Sequence, residues 1–255
     1  MAEYAPGVPI WVDVSSTDLD KSVDFYTGLF GWDANRGGPE MGGYTIFSLN
    51  GKTVCGGGPT QSPDQPPSWS TYVQSADAAA TTEAVKSAGG QVIAGPMQVM
   101  DQGTLAVFQD PTGAFISIWQ PDKHTGAELV NEVGSFAWNE LYTRDLPRDV
   151  EFYKNVFGWV ADETEMSPGK NYTMFKVGDR AIAGGLDMAT VEIPPHIPPH
   201  WLVYFVVADV GASIAKAQEL GATVNGPMDT PMGPFAVVLD PVGAAFAIIQ
   251  FQSQG

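Results

Sequence analysis

The chain has 255 residues, 44% of them hydrophobic and 11% aromatic, with a formal charge of −17. It is long enough for two domains with a core each, and its composition is that of a globular protein. No apolar run approaches the roughly 20 residues that span a bilayer, and the negative field repels phosphate backbones and anionic membranes, which excludes nucleic acid and membrane as partners.

In chain order, Ile10 to Val14 alternates with period two and reads as a strand. Asp18 is the expected N-cap of a helix that places Val23, Tyr26, Leu29 and Phe30 on one face before Gly31 ends it. Tyr44 to Leu49 and Thr53 to Gly57 read as strands around an Asn50-Gly51 hairpin turn. A proline-rich rim loop, Pro59 to Pro67, leads to a strand over Ser70 to Gln74 and a helix from Asp77 to Ala88 stopped by Gly89-Gly90. Strands around Val92, Leu105 to Gln109 and Phe115 to Gln120 complete the first half. Met97 and Met100, like Met228 and Met232 later, read as loop residues able to adapt to a ligand.

The plan then repeats. Asp18 to Trp32 and Asp145 to Trp159 are identical at eight of fifteen positions. The match continues through Trp11 and Trp138, Gly57-Gly58 and Gly184-Gly185, Pro67-Ser-Trp69 and Pro199-His-Trp201, and Asp110-Pro-x-Gly113 and Asp240-Pro-x-Gly243. The first helix of this half, the counterpart of the one at Asp18, starts near Asp145 with Pro147 in its first turn. Val177-Gly178-Asp179 marks the matching hairpin turn, Ile193 to Pro199 the matching rim loop, and Asp209 to Leu220, stopped by Gly221, the last helix. Two modules follow, residues 1–122 and 133–255, joined by a linker over about 121–132. The glycine runs lack a phosphate-loop spacing and read as strand bulges or close backbone approaches.

Four βαβββ units, with Phe-Tyr-x-x-x-Phe-Gly-Trp after the first strand and Asp-Pro-x-Gly before the last, resemble the vicinal oxygen chelate superfamily of glyoxalases, bleomycin-resistance proteins and dioxygenases. The resemblance implies an α+β fold in which the units form cupped mixed sheets. Pro9-Ile-Trp-Val-Asp-Val, Phe136-Ala-Trp-Asn-Glu-Leu and Leu-Phe-Gly-Trp are similar, more narrowly, to two-module glyoxalase-like proteins of actinobacteria, often labelled hydroxylases. These include a mycobacterial antigen and accessory proteins of antibiotic pathways. The superfamily spans isomerases, dioxygenases, transferases and drug-sequestering proteins, so the fold alone does not fix an activity.

The resemblance also implies where a metal would sit: in the first strand, in the strand opening the second unit, and in the last strand. Those positions hold Trp11, Ser70 and Ser117 in one half and Trp138, Leu202 and Ala247 in the other. A divalent ion needs several His, Cys or carboxylate groups, so neither a metal nor another cofactor is expected. His196 and His200 have the spacing of a helical zinc motif, but Pro194, Pro195, Pro198 and Pro199 exclude the helix. Those two histidines and His124 in the linker read as exposed or structural.

Strand alternation puts Asp13 with Trp11, and Glu140 with Trp138, on the cup face, while Val12, Val14 and Leu141 face the helices. Further cup-facing candidates are Tyr72, Phe115 and Trp119 in the first half, and Tyr142, Tyr204 and Ile249 in the second. An apolar concave lining with few polar groups suits a small molecule. The expected function is metal-independent binding of a hydrophobic aromatic or polycyclic ligand of antibiotic type, serving sequestration, self-resistance or natural-product biosynthesis. The alternative is a metal-independent enzyme, an isomerase or a polyketide-modifying hydroxylase type, with Asp13 or Glu140 as base. The protein is expected to be a monomer or homodimer. The run Met1-Ala2-Glu3-Tyr4-Ala5-Pro6 lacks the features of a secretory signal, so a cytoplasmic location is expected. The single cysteine, Cys55, excludes an intramolecular disulfide and reads as a small buried hydrophobe.

Overall fold

The computed structural model describes residues 4–38, 41–167 and 170–252, so Met1 to Glu3 of the expected signal-free start lie outside the described residues. The elements run β1 (Pro9–Ser16), α1 (Leu19–Phe30), β2 (Asp33–Arg36), β3 (Thr45–Leu49), β4 (Lys52–Pro59), β5 (Ser68–Gln74), α2 (Ala78–Ser87), β6 (Gln91–Val99), β7 (Gly103–Gln109) and β8 (Phe115–Pro121). The second half repeats them as β9 (Phe136–Thr143), α3 (Leu146–Phe157), β10 (Val160–Ser167), β11 (Lys170–Val177), β12 (Arg180–Asp187), β13 (His200–Val206), α4 (Val210–Glu219), β14 (Thr223–Met228), β15 (Phe235–Leu239) and β16 (Ala245–Ile249). Each half forms one eight-stranded mixed sheet, ordered β2-β3-β4-β1-β5-β8-β7-β6 and β10-β11-β12-β9-β13-β16-β15-β14. These are the two expected modules. No helix among the described residues is long and apolar enough to cross a membrane.

Local chemistry explains the helix boundaries. The side chains of Asp18, Asp77, Asp145 and Asp209 each accept the backbone N–H of the third helical residue: Lys21, Ala80, Arg148 and Ala212. Capping of this kind satisfies one of the orphan donors that every helix start exposes. Gly31 and Gly158 end α1 and α3 with φ of 70° and 71°, a left-handed geometry that costs glycine least. In the β3–β4 turn, Asn50 and Gly51 both take positive φ, the geometry of a tight hairpin.

The cores do not divide as the repeat does. The chain splits into two compact units, one made of residues 1–10, 71–126 and 138–201, the other of residues 11–70, 127–137 and 202–255. We call them the Glu140 unit and the Asp13 unit. The core of the Glu140 unit gathers Val73, Val85, Phe108, Ile116 and Ile118 from the first repeat with Leu141, Phe152, Tyr153, Trp159 and Phe175 from the second. The core of the Asp13 unit gathers Val12, Val14, Phe25, Tyr26, Trp32 and Phe47 with Val203, Phe205, Phe246 and Ile248. The expectation of one core per sequence half is thereby corrected: each core takes helices and sheet faces from both repeats. His124, after the end of β8, lies edge-on to Trp119 at 5.6 Å, a structural role for that histidine.

The repeated motifs meet inside these cores. In the Asp13 unit, the Tyr26 hydroxyl donates to Asp240 at 2.9 Å and accepts the Trp69 indole N–H at 2.9 Å. In the Glu140 unit, Tyr153 donates to Asp110 at 2.8 Å and accepts from Trp201 at 2.9 Å. Trp32 and Trp159 donate to the carbonyls of Gly134 and Gly7, both at 2.7 Å. The Phe-Tyr, Gly-Trp, Pro-x-Trp and Asp-Pro-x-Gly signatures are thus a buried hydrogen-bonded lock, satisfied group by group. Cys55 is fully buried, and burial raises its thiol pKa.

Candidate functional site

Parallel register sets both candidate carboxylates. Asp13 of β1 lies opposite Gly56 of β4, and Glu140 of β9 lies opposite Gly184 of β12. The repeat therefore aligns Gly56-Gly57 with Gly184-Gly185, one residue earlier than the alignment of Gly57-Gly58. A run of three glycines hides the phase, which the strand pairing fixes. The glycines are required by a tyrosine: a Cβ on Gly56 would collide with the hydroxyl of Tyr44, and one on Gly184 with the hydroxyl of Tyr172. This is the close approach expected of the glycine run, and register shifts at Val54 of β4 and Ile182 of β12 accompany it.

Each tyrosine joins its carboxylate to the neighbouring tryptophan. In the Asp13 unit the Trp11 indole N–H donates to the Tyr44 oxygen at 3.0 Å, and the Tyr44 hydroxyl donates to Asp13 at 2.9 Å. In the Glu140 unit Trp138 donates to Tyr172 at 2.9 Å, and Tyr172 is hydrogen-bonded to Glu140. Burial, reinforced by the charge of Glu140, pushes the Tyr172 phenol pKa up, so this hydroxyl remains a donor. Asp13 and Glu140 are 8% and 7% exposed, too buried for rim residues solvated by water alone.

The Glu140 cluster has two groups that the Asp13 cluster lacks. Tyr142 donates a short 2.5 Å hydrogen bond to Glu140, and its ring stacks on His200 with centroids 5.3 Å apart and planes 12° from parallel. His200 Nδ1 lies 2.9 Å from the carbonyl of Pro198. Since a carbonyl only accepts, Nδ1 carries the proton and Nε2 is the basic nitrogen of the neutral ring. Burial, outweighing that hydrogen bond, lowers the His200 pKa. The matching residues in the first repeat are Ser15 and Ser68.

The sequence-predicted residues distribute as follows. Trp11 with Asp13, and Trp138 with Glu140 and Tyr142, come together as expected. Tyr72 opposes Ser117, which opposes Val107, and in the next row Trp119 opposes Leu105, which opposes Met97. On this sheet face of the Glu140 unit Trp119 and Ser117 are buried, Tyr72, Leu105 and Val107 half-buried, and Met97 exposed. The Trp119 indole donates to the His124 carbonyl at 2.8 Å, which anchors the chain leaving β8. Phe115 is 55% exposed at the start of β8 and lies at the margin of that face. In the Asp13 unit Tyr204 opposes Ala247, and its ring packs on Phe235 at 5.7 Å, beside Ile249. Met97 and Met228 are strand residues rather than loop residues, since β6 runs on through Met97 and β14 ends on Met228. Sequence reasoning missed Tyr44, Tyr172 and His200. Gly43-Tyr-Thr-Ile-Phe47 and Asn171-Tyr-Thr-Met-Phe175 repeat, a signal that was there to be read.

The positions at which the family resemblance implies a metal do not fit one. The Trp11 and Trp138 indoles spend their N–H groups on tyrosines, while Leu202 and Ala247 are apolar and 3% and 0% exposed. Ser117 contributes one buried hydroxyl. Among the described residues no three His, Cys, Asp or Glu side chains converge.

A family model described as "Glyoxalase/Bleomycin resistance protein/Dioxygenase superfamily" matches residues 10–118 and 133–248. The chain is 38% identical to the Putative glyoxylase CFP32 of Mycobacterium tuberculosis over 98% of its own length and 97% of that protein's. It is 37% identical to the Anthracycline biosynthesis protein DnrV of Streptomyces peucetius over 99% and 96%. Among solved structures, the Mn(II)-bound glyoxalase from Novosphingobium aromaticivorans matches with a TM-score of 0.67, at 14% identity, over 97% of this chain and 83% of that one. The 2,3-dioxygenase LapB from Pseudomonas sp. KL28 matches at 0.66 and 14% identity, over 97% and 93%. At that identity the structures speak for fold alone, but the two-module family match is decisive: the chain belongs to the glyoxalase/bleomycin resistance protein/dioxygenase superfamily.

Proposed function

We propose that this protein binds a hydrophobic, polycyclic aromatic small molecule without a metal, as a sequestering protein or as an accessory protein in natural-product biosynthesis. The observation that carries the reading is the occupant of the first-strand ligand position. A tryptophan stands there in both halves, tied through a tyrosine to a buried carboxylate. Such a cluster offers a planar ligand an aromatic surface and a charged acceptor, which suits an aromatic core bearing an amine or hydroxyl. Likeness to a protein of anthracycline biosynthesis supports this class of ligand, and the net charge of −17 favours cationic ones. A cytoplasmic location belongs to the same reading.

Tryptophan fluorescence is the direct test. Titration with an amino-sugar anthracycline in the presence of chelator should give saturable quenching, weakened in Trp138→Ala and Glu140→Gln. Absence of saturable quenching in the wild type would remove the reading.

One observation favours a second reading, a metal-independent enzyme acting on a carbonyl or polyketide substrate. The two phenols on Glu140 and the neutral imidazole of His200 are acid–base equipment. Multiple turnover of such a substrate, abolished in Glu140→Gln with binding retained, would decide for it.

A further inference from the structure

The two carboxylate clusters have parted chemically, and the difference is confined to the second repeat. Tyr44 donates its phenol to Asp13, and the residues matching Tyr142 and His200 there are Ser15 and Ser68. Glu140 accepts the phenols of Tyr172 and Tyr142, and His200 lies flat on Tyr142.

His200 is set up as an acceptor. Its Nδ1–H is committed to Pro198 O, which leaves Nε2 as the nitrogen with a lone pair, and stacking on Tyr142 fixes the plane of the ring. Arg144 donates to the carbonyls of Pro194 and Ile197 at 2.8 and 2.9 Å, bracing the loop that carries Pro198. The four prolines of that loop further restrict its backbone. The loop therefore positions an imidazole, and does so only in the second repeat. A fixed, neutral acceptor selects for a ligand donor, whereas an ammonium ion would be drawn first to the carboxylate.

We propose that His200, held by Tyr142 and Pro198, is a specificity-determining residue that accepts a hydrogen bond from a phenolic or enolic hydroxyl of the bound polycycle. This rests on the polycycle-binding reading and deepens it. The Glu140 cluster is then the one that discriminates hydroxylated from unhydroxylated aromatic cores, while the Asp13 cluster does not.

The test uses the full-length protein and two probes, 1,8-dihydroxyanthraquinone and the hydroxyl-free parent anthraquinone, titrated by tryptophan quenching. His200→Phe keeps a stacking ring and removes the acceptor. It should weaken the dihydroxy probe about tenfold and leave the parent probe within about twofold. His200→Gln, which restores an oxygen acceptor, should recover part of that loss, and Ser68→Ala should change neither probe. If His200→Phe binds both probes as the wild type does, or loses both equally, the proposal fails while the binding reading stands. If the wild type binds neither probe, both fall together.

Discussion

The Tyr26 hydroxyl reaches Asp240 across 214 residues of sequence to make a 2.9 Å hydrogen bond, and Tyr153 makes its counterpart with Asp110. In each case the tyrosine comes from one repeat and the aspartate from the other. The same aspartates accept the turn amides of Gly113 and Ala114, or of Gly243 and Ala244, at 2.8–2.9 Å. The most visible sequence motifs are therefore structural, and the candidate chemistry lies on other residues.

Tyr26→Phe should lower stability by about 1–3 kcal/mol, because it strands the Trp69 N–H and one oxygen of Asp240 in the core. Urea denaturation would show the loss. Ligand affinity at 25 °C should stay at the wild-type value, since no part of the Trp11, Tyr44 and Asp13 cluster is touched.

Asp149 gives the stability a pH dependence. It is fully buried, faces the carboxylate of Asp110, has one oxygen with no hydrogen-bond partner, and has its pKa raised to about 7, chiefly by burial and then by Asp110. The folded state thus binds a proton that the unfolded state, with a pKa near 3.8, has released. The stabilisation is complete below the unfolded pKa and is lost as pH rises through about 7. Asp149→Asn, still able to accept from Thr112, should match the wild type near pH 4 and exceed it at pH 8 by on the order of 2 kcal/mol. Thermal melts across that range would show converging curves on the acid side. The same change at Ser22, the matching residue of the Asp13 unit, has no such gain to make.

Gly184→Ala should cost both stability and binding. Its methyl would meet the Tyr172 hydroxyl and push the ring off Glu140 and Trp138. The combined variant Gly184→Ala/Tyr172→Phe removes the nearest colliding atom but leaves the ring carbon 2.5 Å from the new methyl, so it should recover part of the stability and none of the affinity. Calorimetric melting and quenching titration, run side by side, would separate the two effects.

What the sequence revealed and what it concealed follow from distance along the chain. The aspartate caps, the Asn50-Gly51 turn and the alternation of Trp11, Val12 and Asp13 act over a few residues, so pattern alone located them. Pairing Val203 with Val12, or Ile118 with Leu141, in one core is decided by packing between repeats, and no local pattern records it. Tyr44 and Tyr172 went unread because a single polar aromatic beside a strand carries no periodic signal. Their role emerges only when Gly56 and Gly184 are placed opposite Asp13 and Glu140. His200 was set aside because its i, i+4 partner lies in a proline-rich loop. The prolines do keep a helix from forming around His200, and only the tertiary fold brings Tyr142 onto its ring.

Loss of either half of a cluster should be additive with loss of the other only if both bind. Trp11→Ala and Trp138→Ala remove an aromatic contact worth about 0.5–1.5 kcal/mol beyond area, and Asp13→Asn and Glu140→Gln a charge-assisted hydrogen bond worth about 1.5–3 kcal/mol. Titration of the four single variants, and of Glu140→Gln with Asp13→Asn, would show whether one or both clusters hold ligand.

The most direct measurement is a quenching titration of chelator-treated wild-type protein with an amino-sugar anthracycline, with the divalent metal content of the same sample determined by elemental analysis. The account predicts saturable binding at a metal content far below one ion per chain, with affinity unchanged on adding Mn²⁺ or Zn²⁺. Binding that appears only when a divalent ion is restored, or no saturable binding at all, would contradict it.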